Sequence, residues 1–226
     1  MAVIAGIRVA LMKVLEHYLT PQQFKRYAKT DRPAQQASPQ HFYNAALRDL
    51  SIRNTESAIF NLIKVFEVEP RHLPSLHLAR TMLFGLNKLF QEAGGDLYRT
   101  KFPNLNSYRQ RLERNLQEME LDLQRVRNEI TATQSKKGFM GGLFGNNKRQ
   151  QRLADLQQQQ QNLIQNLQQS QKRRTQVMKL VQIQEYAYVI SLVLEVSMFP
   201  ARYSWLAEEE NKTAKGESLK DQVWYG

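Results

Sequence analysis

Apolar side chains recur along most of this chain at spacings of three and four, the period of an α-helix. No convincing run alternates with the period of two that a half-buried strand requires. The most regular segment follows Ser107. There Leu112, Leu116, Met119, Leu123, Val126 and Ile130 follow steps of 4, 3, 4, 3 and 4, which is the a/d seam of a helix that pairs with another helix. Ser107 is placed to cap its start. A second seam runs through Leu153, Leu156, Gln160, Leu163, Leu167, Ser170, Arg174, Val177 and Val181, with polar residues at three positions and Ile164 widening the stripe. Between the two seams Lys136 to Lys148 reads KKGFMGGLFGNNK. Its glycines and asparagines oppose a continuous helix. The pattern therefore predicts a long antiparallel coiled-coil hairpin over 105–181 with a tip loop at 136–148.

The flanking segments also read as helices. In Ala2 to Tyr18 the residues Ile4, Ile7, Leu11, Val14 and Tyr18 form one stripe, expected to pack on the rest of the protein rather than on a membrane surface. Thr20-Pro21 is a helix start, a hydroxyl cap followed by proline at the first helical position, so 1–30 holds N-terminal helices. Asp31 to Gln40 (DRPAQQASPQ) reads as a linker, 31–40, and Ser38-Pro39 opens a helix to about Ile52. Thr55 is expected to cap a helix that Pro70 stops, and Pro74 to open one that ends at Gly94-Gly95. From Val181 to Val196 almost no polar face remains, which predicts a buried helix over 182–205 that packs on the body. A charged tail, 206–226, closes the chain. The fold class expected is all-α: a helical body with a long antiparallel coiled-coil hairpin.

Within 41–95 the first half carries a recognisable pattern. Phe42 is a large apolar residue opening a helix, Ala46 and Ala58 are small residues on two successive helices, and Pro70 follows Val65-Phe66-Glu67-Val68-Glu69. In these features His41 to His72 resembles one tetratricopeptide repeat, a helix–turn–helix unit of about 34 residues. Asp49 departs from the pattern, standing where an apolar or aromatic residue is common. The following segment offers Leu76, Ala79 and Leu83 but no second helix in register. The resemblance implies protein or peptide binding in a concave groove. Stacking of such units needs about three repeats, so this region by itself builds little groove.

Charge changes the picture next. The chain carries a formal net charge of +11. From Lys101 to Gln184 fifteen Lys and Arg face six Asp and Glu, so most of the excess lies on the hairpin. Such a surface favours anionic partners: an acidic protein, lipid headgroups or nucleic acid. The chain has no cysteine, which excludes disulfides, thiolate zinc sites and cysteine nucleophiles and fits a reducing compartment. Tyr186 to Phe199 is the most apolar stretch, short of the roughly 20 residues of a spanning helix and interrupted by Glu195. Arg8 and Lys13 interrupt the apolar N-terminus, so it does not read as a signal peptide. The expected location is cytoplasmic, with a peripheral membrane site as the alternative.

Candidate contact residues follow from these patterns. Phe139, Met140, Leu143 and Phe144 sit among glycines at the expected tip, where exposed apolar groups mark an interaction site. Lys136, Lys137, Lys148 and Arg149 flank them, and Lys172, Arg173 and Arg174 form a further basic cluster. Trp224 and Tyr225 are a candidate docking motif. The function expected is a non-enzymatic scaffold or adaptor within a larger assembly, binding another protein and able to self-associate. Peripheral binding to an anionic membrane is the alternative, and backbone binding of nucleic acid the third reading. Nucleic acid is disfavoured because no aromatic residue interleaves with the cations to stack on bases. No metal, cofactor or catalytic residue is expected: His17, His41, His72 and His77 lack metal spacing, and the glycines at 138–145 lack a phosphate loop's strand and Lys-Ser/Thr.

Overall fold

The computed structural model describes residues 2–27, 38–102, 104–135 and 143–203, and in 2–9 and 143–147 the backbone alone. Every regular element among the described residues is helical, so the fold is all-α. The helices are α1 (Ala2–Tyr18), α2 (Pro21–Tyr27), α3 (Pro39–Ser51), α4 (Thr55–Val68), α5 (Leu73–Glu92), α6 (Gly95–Lys101), α7 (Leu105–Ser135) and α8 (Leu143–Met198). A 3₁₀ turn, Pro200–Tyr203, follows. The chain forms two compact units: Met1–Leu89 with Ile183–Gly226, and Phe90–Gln182.

Side-chain caps set the helix starts. At α2, Thr20 Oγ1 accepts from the Gln23 amide at 3.3 Å while Gln23 Oε1 accepts from the Thr20 amide at 3.0 Å. This is a reciprocal capping box. Ser38 Oγ accepts from the His41 amide at 3.3 Å. Two starts differ from expectation by one to three residues. Asn54, not Thr55, caps α4 through the Ser57 amide, at 3.2 Å. Asn104, not Ser107, caps α7, and Ser107 supplies the amide that Asn104 Oδ1 accepts, at 3.0 Å. In both cases an asparagine side chain in front of the helix reaches the third amide, which makes it the cap by geometry.

In the first unit α4 is the central element, in contact with α1, α2 and α3. Its Ala58, Ile59, Leu62, Ile63, Val65 and Phe66 are buried, so the helix is apolar around most of its girth. Ala46 of α3 and Ala58 of α4 are both 0% exposed. Small residues at such positions let two helix backbones approach. Leu11, Val14 and Leu15 of α1, and Leu19 just after it, enter the same core, whereas Tyr18 of the expected stripe is exposed. The final turns of α8 add Tyr186, Val189, Ile190, Val193, Leu194 and Val196.

Two polar pairs are built into this unit. Lys64 donates to both carboxylate oxygens of Glu67, at 3.2 and 3.1 Å, and lies 5.4 Å from the Phe60 ring centre. The pair spans one helical turn, so burial of each charge is compensated by its own helix. Arg26 Nη2 and the Tyr27 hydroxyl both donate to Glu185 Oε1, at 2.7 and 3.1 Å. They tie α2 to α8 over the fully buried Tyr27 ring.

In the second unit α7 and α8 run antiparallel. Glu113 pairs with Arg174 at 3.7 Å and Glu129 with Arg152 at 3.9 Å, so numbers rise along one helix as they fall along the other. Leu112, Leu116, Leu123, Val126, Leu156 and Val177 are buried between them. Gln160 and Ser170 also sit on the less exposed side of α8, while the neighbouring Gln158, Gln159 and Gln168 are exposed. At about 1.5 Å per residue α7 is about 46 Å long.

One expectation about this region is corrected. The tip loop does not extend to Lys148: the helix resumes at Leu143, because Asn146 and Asn147 carry only modest helix penalties and one glycine can be carried within a long helix. From Ile183 the chain belongs to the first unit, and the helix expected over 182–205 is the C-terminal part of α8, which passes through Gln182 without a break to Met198. No glycine or proline stands between Asn146 and Phe199 to interrupt it. This helix contains an 18-residue window of mean hydropathy 1.3, long and apolar enough to cross a membrane, of which 44% is buried against the protein.

Candidate functional site

Of the expected contact residues, Lys136, Lys137, Phe139, Met140, Trp224 and Tyr225 lie outside the described residues, and Leu143 and Phe144 fall in the first turn of α8, where the backbone alone is described. The flanking cations have distinct surroundings. Lys148 is exposed. Arg149 is occupied: its Nε donates to the Thr133 carbonyl at 2.9 Å and its Nη2 to the Gln134 carbonyl at 2.7 Å. These are carbonyls of the last turn of α7, which have no partner within their own helix. Arg149 therefore caps the neighbouring arm and is a poor candidate for an external anion. Arg174 faces Glu113. Lys172 and Arg173 are exposed.

A site that the spacing along the chain does not reveal forms where α6, the start of α7 and α8 meet. Gly94 has φ +76°, a left-handed conformation that glycine adopts without strain, and it ends α5. Gly95 lies against the Phe90 ring so closely that a Cβ there would overlap it. This turn starts α6, a helix absent from the sequence expectation, and α6 delivers Leu97, Tyr98 and Lys101. The chain then leaves the helix at Phe102, whose amide donates to the Tyr98 carbonyl at 2.7 Å.

The aromatic rings gather here. Phe102 and Tyr108 stack in parallel, with centres 3.6 Å apart and planes at 9°. Tyr98 stands 6.3 Å from Phe102 and 6.4 Å from Tyr108. Its hydroxyl donates to Gln176 Oε1 at 3.2 Å, and the Gln176 amide nitrogen donates to the Ala93 carbonyl at 3.3 Å, so one α8 side chain fixes both the ring and the turn. The Arg111 guanidinium lies 5.9 Å from the Tyr108 ring centre, within cation–π range. Leu97, Tyr98, Lys101, Phe102, Tyr108 and Arg173 line a cleft of about 310 Å³, at the lower end of the roughly 300–1,000 Å³ of small-ligand sites. The three rings are half-buried and Lys101 and Arg173 exposed.

A larger hollow of about 380 Å³ runs along Asp155, Gln158, Gln159, Asn162, Leu163 and Asn166. All its walls come from one face of α8, so no second element converges on a ligand. Among the described residues no three His, Asp or Glu cluster to hold a metal ion. The buried His72 shares a 2.8 Å hydrogen bond with Ser75 Oγ at the start of α5, and its ring packs edge-on against Tyr43. That pairing ties the turn between α4 and α5 to Tyr43 of α3.

No protein-family model, no curated protein and no solved structure matches this chain.

Proposed function

We propose that this protein is a non-enzymatic scaffold or adaptor, and that its α7–α8 coiled-coil arm meets another protein of acidic surface in a larger assembly. The observation that carries this reading is the division of labour along the arm. Its apolar seam and cross-arm ion pairs are used internally, while its outward cations, Lys148, Lys172 and Arg173, are exposed. Regular helical arms of this kind present a rigid face at low entropic cost to a partner. The polar groups buried in the first unit support the non-enzymatic reading, because Lys64, Glu67, His72 and Tyr27 are each satisfied by a neighbour in packing roles. Ala46 and Ala58, packed where α3 meets α4, are compatible with a repeat-like helical pair that adds to the interaction surface. The reading assigns the protein to the cytoplasm.

Lysine-directed cross-linking of the full chain in nuclease-treated native lysate, read by mass spectrometry, tests this. The expected result is a recurrent protein cross-linked to Lys148, Lys172 or Lys179, and lost when Lys148 and Lys172 are both changed to Glu. Cross-links from these lysines that stay within the chain would count against the proposal. So would partner capture that the double change leaves intact.

A further inference from the structure

We propose that the cleft between α6, α7 and α8 binds single-stranded nucleic acid, with a base against the Tyr98–Phe102–Tyr108 cluster and backbone phosphates on Lys101 and Arg173. This site shares Arg173 with the outward cations of the arm but takes a ligand of different chemistry from the protein partner proposed there. It rests on a juxtaposition that the linear sequence hides. Along the chain the basic run at 172–174 has no aromatic neighbour, and that absence argues against nucleic acid. In the fold, Tyr98 and Phe102 come from one element, Tyr108 from a second and Arg173 from a third, and all line one cleft.

The chemistry of the lining selects the ligand. Three half-buried rings line the cleft, and every nucleobase has a face to offer them. No carboxylate among the described residues forms an ion pair with Lys101 or Arg173, so an incoming anion displaces no internal partner. More cations lie within about one helical turn of the cleft. Arg111 stands beside Tyr108, and Lys172 and Lys179 flank Gln176 on α8. A ligand that is planar and repeatedly anionic satisfies both parts of this surface. A lipid headgroup would use the cations but not the rings, and an acidic peptide would use the rings only where it carries aromatic residues. Gln176 behind the rings already spends both its amide groups on Tyr98 and Ala93, so the binding should follow stacking strength rather than sequence.

The test is fluorescence anisotropy of the full-length protein with a labelled thymidine homopolymer of about 16 nucleotides, repeated over a salt series. The parent should bind, with affinity falling steeply as salt rises. Tyr98→Leu with Phe102→Leu keeps apolar bulk and removes two of the three rings. It should weaken binding at least about fivefold with the salt slope unchanged. Arg173→Gln should weaken binding and reduce the slope by about 0.7. A helical circular-dichroism spectrum and a cooperative melt qualify each variant. If the double variant does not fold, photocross-linking of a 4-thiothymidine strand to the parent replaces it, with adducts expected in the peptides carrying Tyr98, Phe102 or Tyr108. The proposal is overturned by an absence of binding at low salt, or by a double variant that binds as tightly as the parent. It is equally overturned by adducts confined to other peptides, or by anionic vesicles competing for the protein while the ring substitutions change nothing.

Discussion

The Arg149 guanidinium on α8 holds the end of α7, with its Nε 2.9 Å from the Thr133 carbonyl and a second nitrogen on the carbonyl of the next residue. The forked shape of the group satisfies two helix-end acceptors at once, and its charge complements the negative end of the α7 dipole. Arg149→Ala should destabilise this end of the arm by about 1 kcal/mol, a charged hydrogen-bonded contact discounted for its exposure. Arg149→Lys should recover only part of that, because an ammonium cannot make both bonds in the fork geometry. Hydrogen exchange is the suitable measurement. Faster exchange in the last turn of α7 and first turns of α8, without change in the first unit, is expected. Unchanged protection in the Ala variant would show that the clamp contributes nothing.

The seam between α7 and α8 predicts a contrast between two leucines five residues apart. Leu116 is 6% exposed and Leu121 is 56% exposed. Leu116→Ala should cost about 2–4 kcal/mol through lost burial and the cavity left behind, whereas Leu121→Ala should stay within about 0.5 kcal/mol. Chemical denaturation followed by circular dichroism compares them. Equal losses would mean that the register assigned to the arm is wrong.

Ala46 and Ala58 are fully buried, which leaves no room for longer side chains where α3 and α4 pack. Leucine at either position should destabilise the first unit by about 1–3 kcal/mol through overpacking. Serine at the same positions should be milder if its hydroxyl bonds a carbonyl one turn back. Thermal denaturation of the four variants checks the order. Leucine variants as stable as the parent would argue that the helices are separated here.

Alkaline pH should weaken the protein through Tyr27. Burial, then the Glu185 carboxylate that accepts its proton, pushes the Tyr27 phenol well above its ordinary range. Burial likewise raises Tyr203, with a contribution from Glu195. The sign follows from linkage. Below the unfolded-state value of about 10, both states hold the proton and the full stability is present. Above it the unfolded chain releases the proton first, so stability falls as pH rises. Denaturation midpoints at about pH 8 and about pH 10.5 measure this. Tyr27→Phe should lose about 1 kcal/mol at the lower pH for want of its hydrogen bond and show a shallower alkaline loss. A parent whose midpoint does not move across this range would contradict the placement of Tyr27.

What local physics controls is legible along the chain. Spacings of three and four gave the helices, because a helix that must bury one face shows that face in its sequence. Thr20 and Ser38 marked two starts, because capping needs only residues within one turn. The α7 seam was legible for the same reason: each of its leucines is buried by its own position in a repeating register, wherever the partner comes from. The rest depends on how the helices pack. Whether Asn54 or Thr55 capped α4 depended on backbone geometry at the helix entrance. Arg149 looked like a free cation at a basic tip because its acceptors, the Thr133 and Gln134 carbonyls, become neighbours only when the hairpin closes. The aromatic cleft was invisible for the same cause. Tyr108 precedes the α7 seam, Tyr98 and Phe102 lie ahead of it across Pro103, and Arg173 lies more than sixty residues further along the chain. They meet because Gly94 turns the chain into a short helix and because α8 returns antiparallel to α7. Pattern along a chain records what each residue needs from its own helix. What residues on different helices do together is recorded only in how the helices pack.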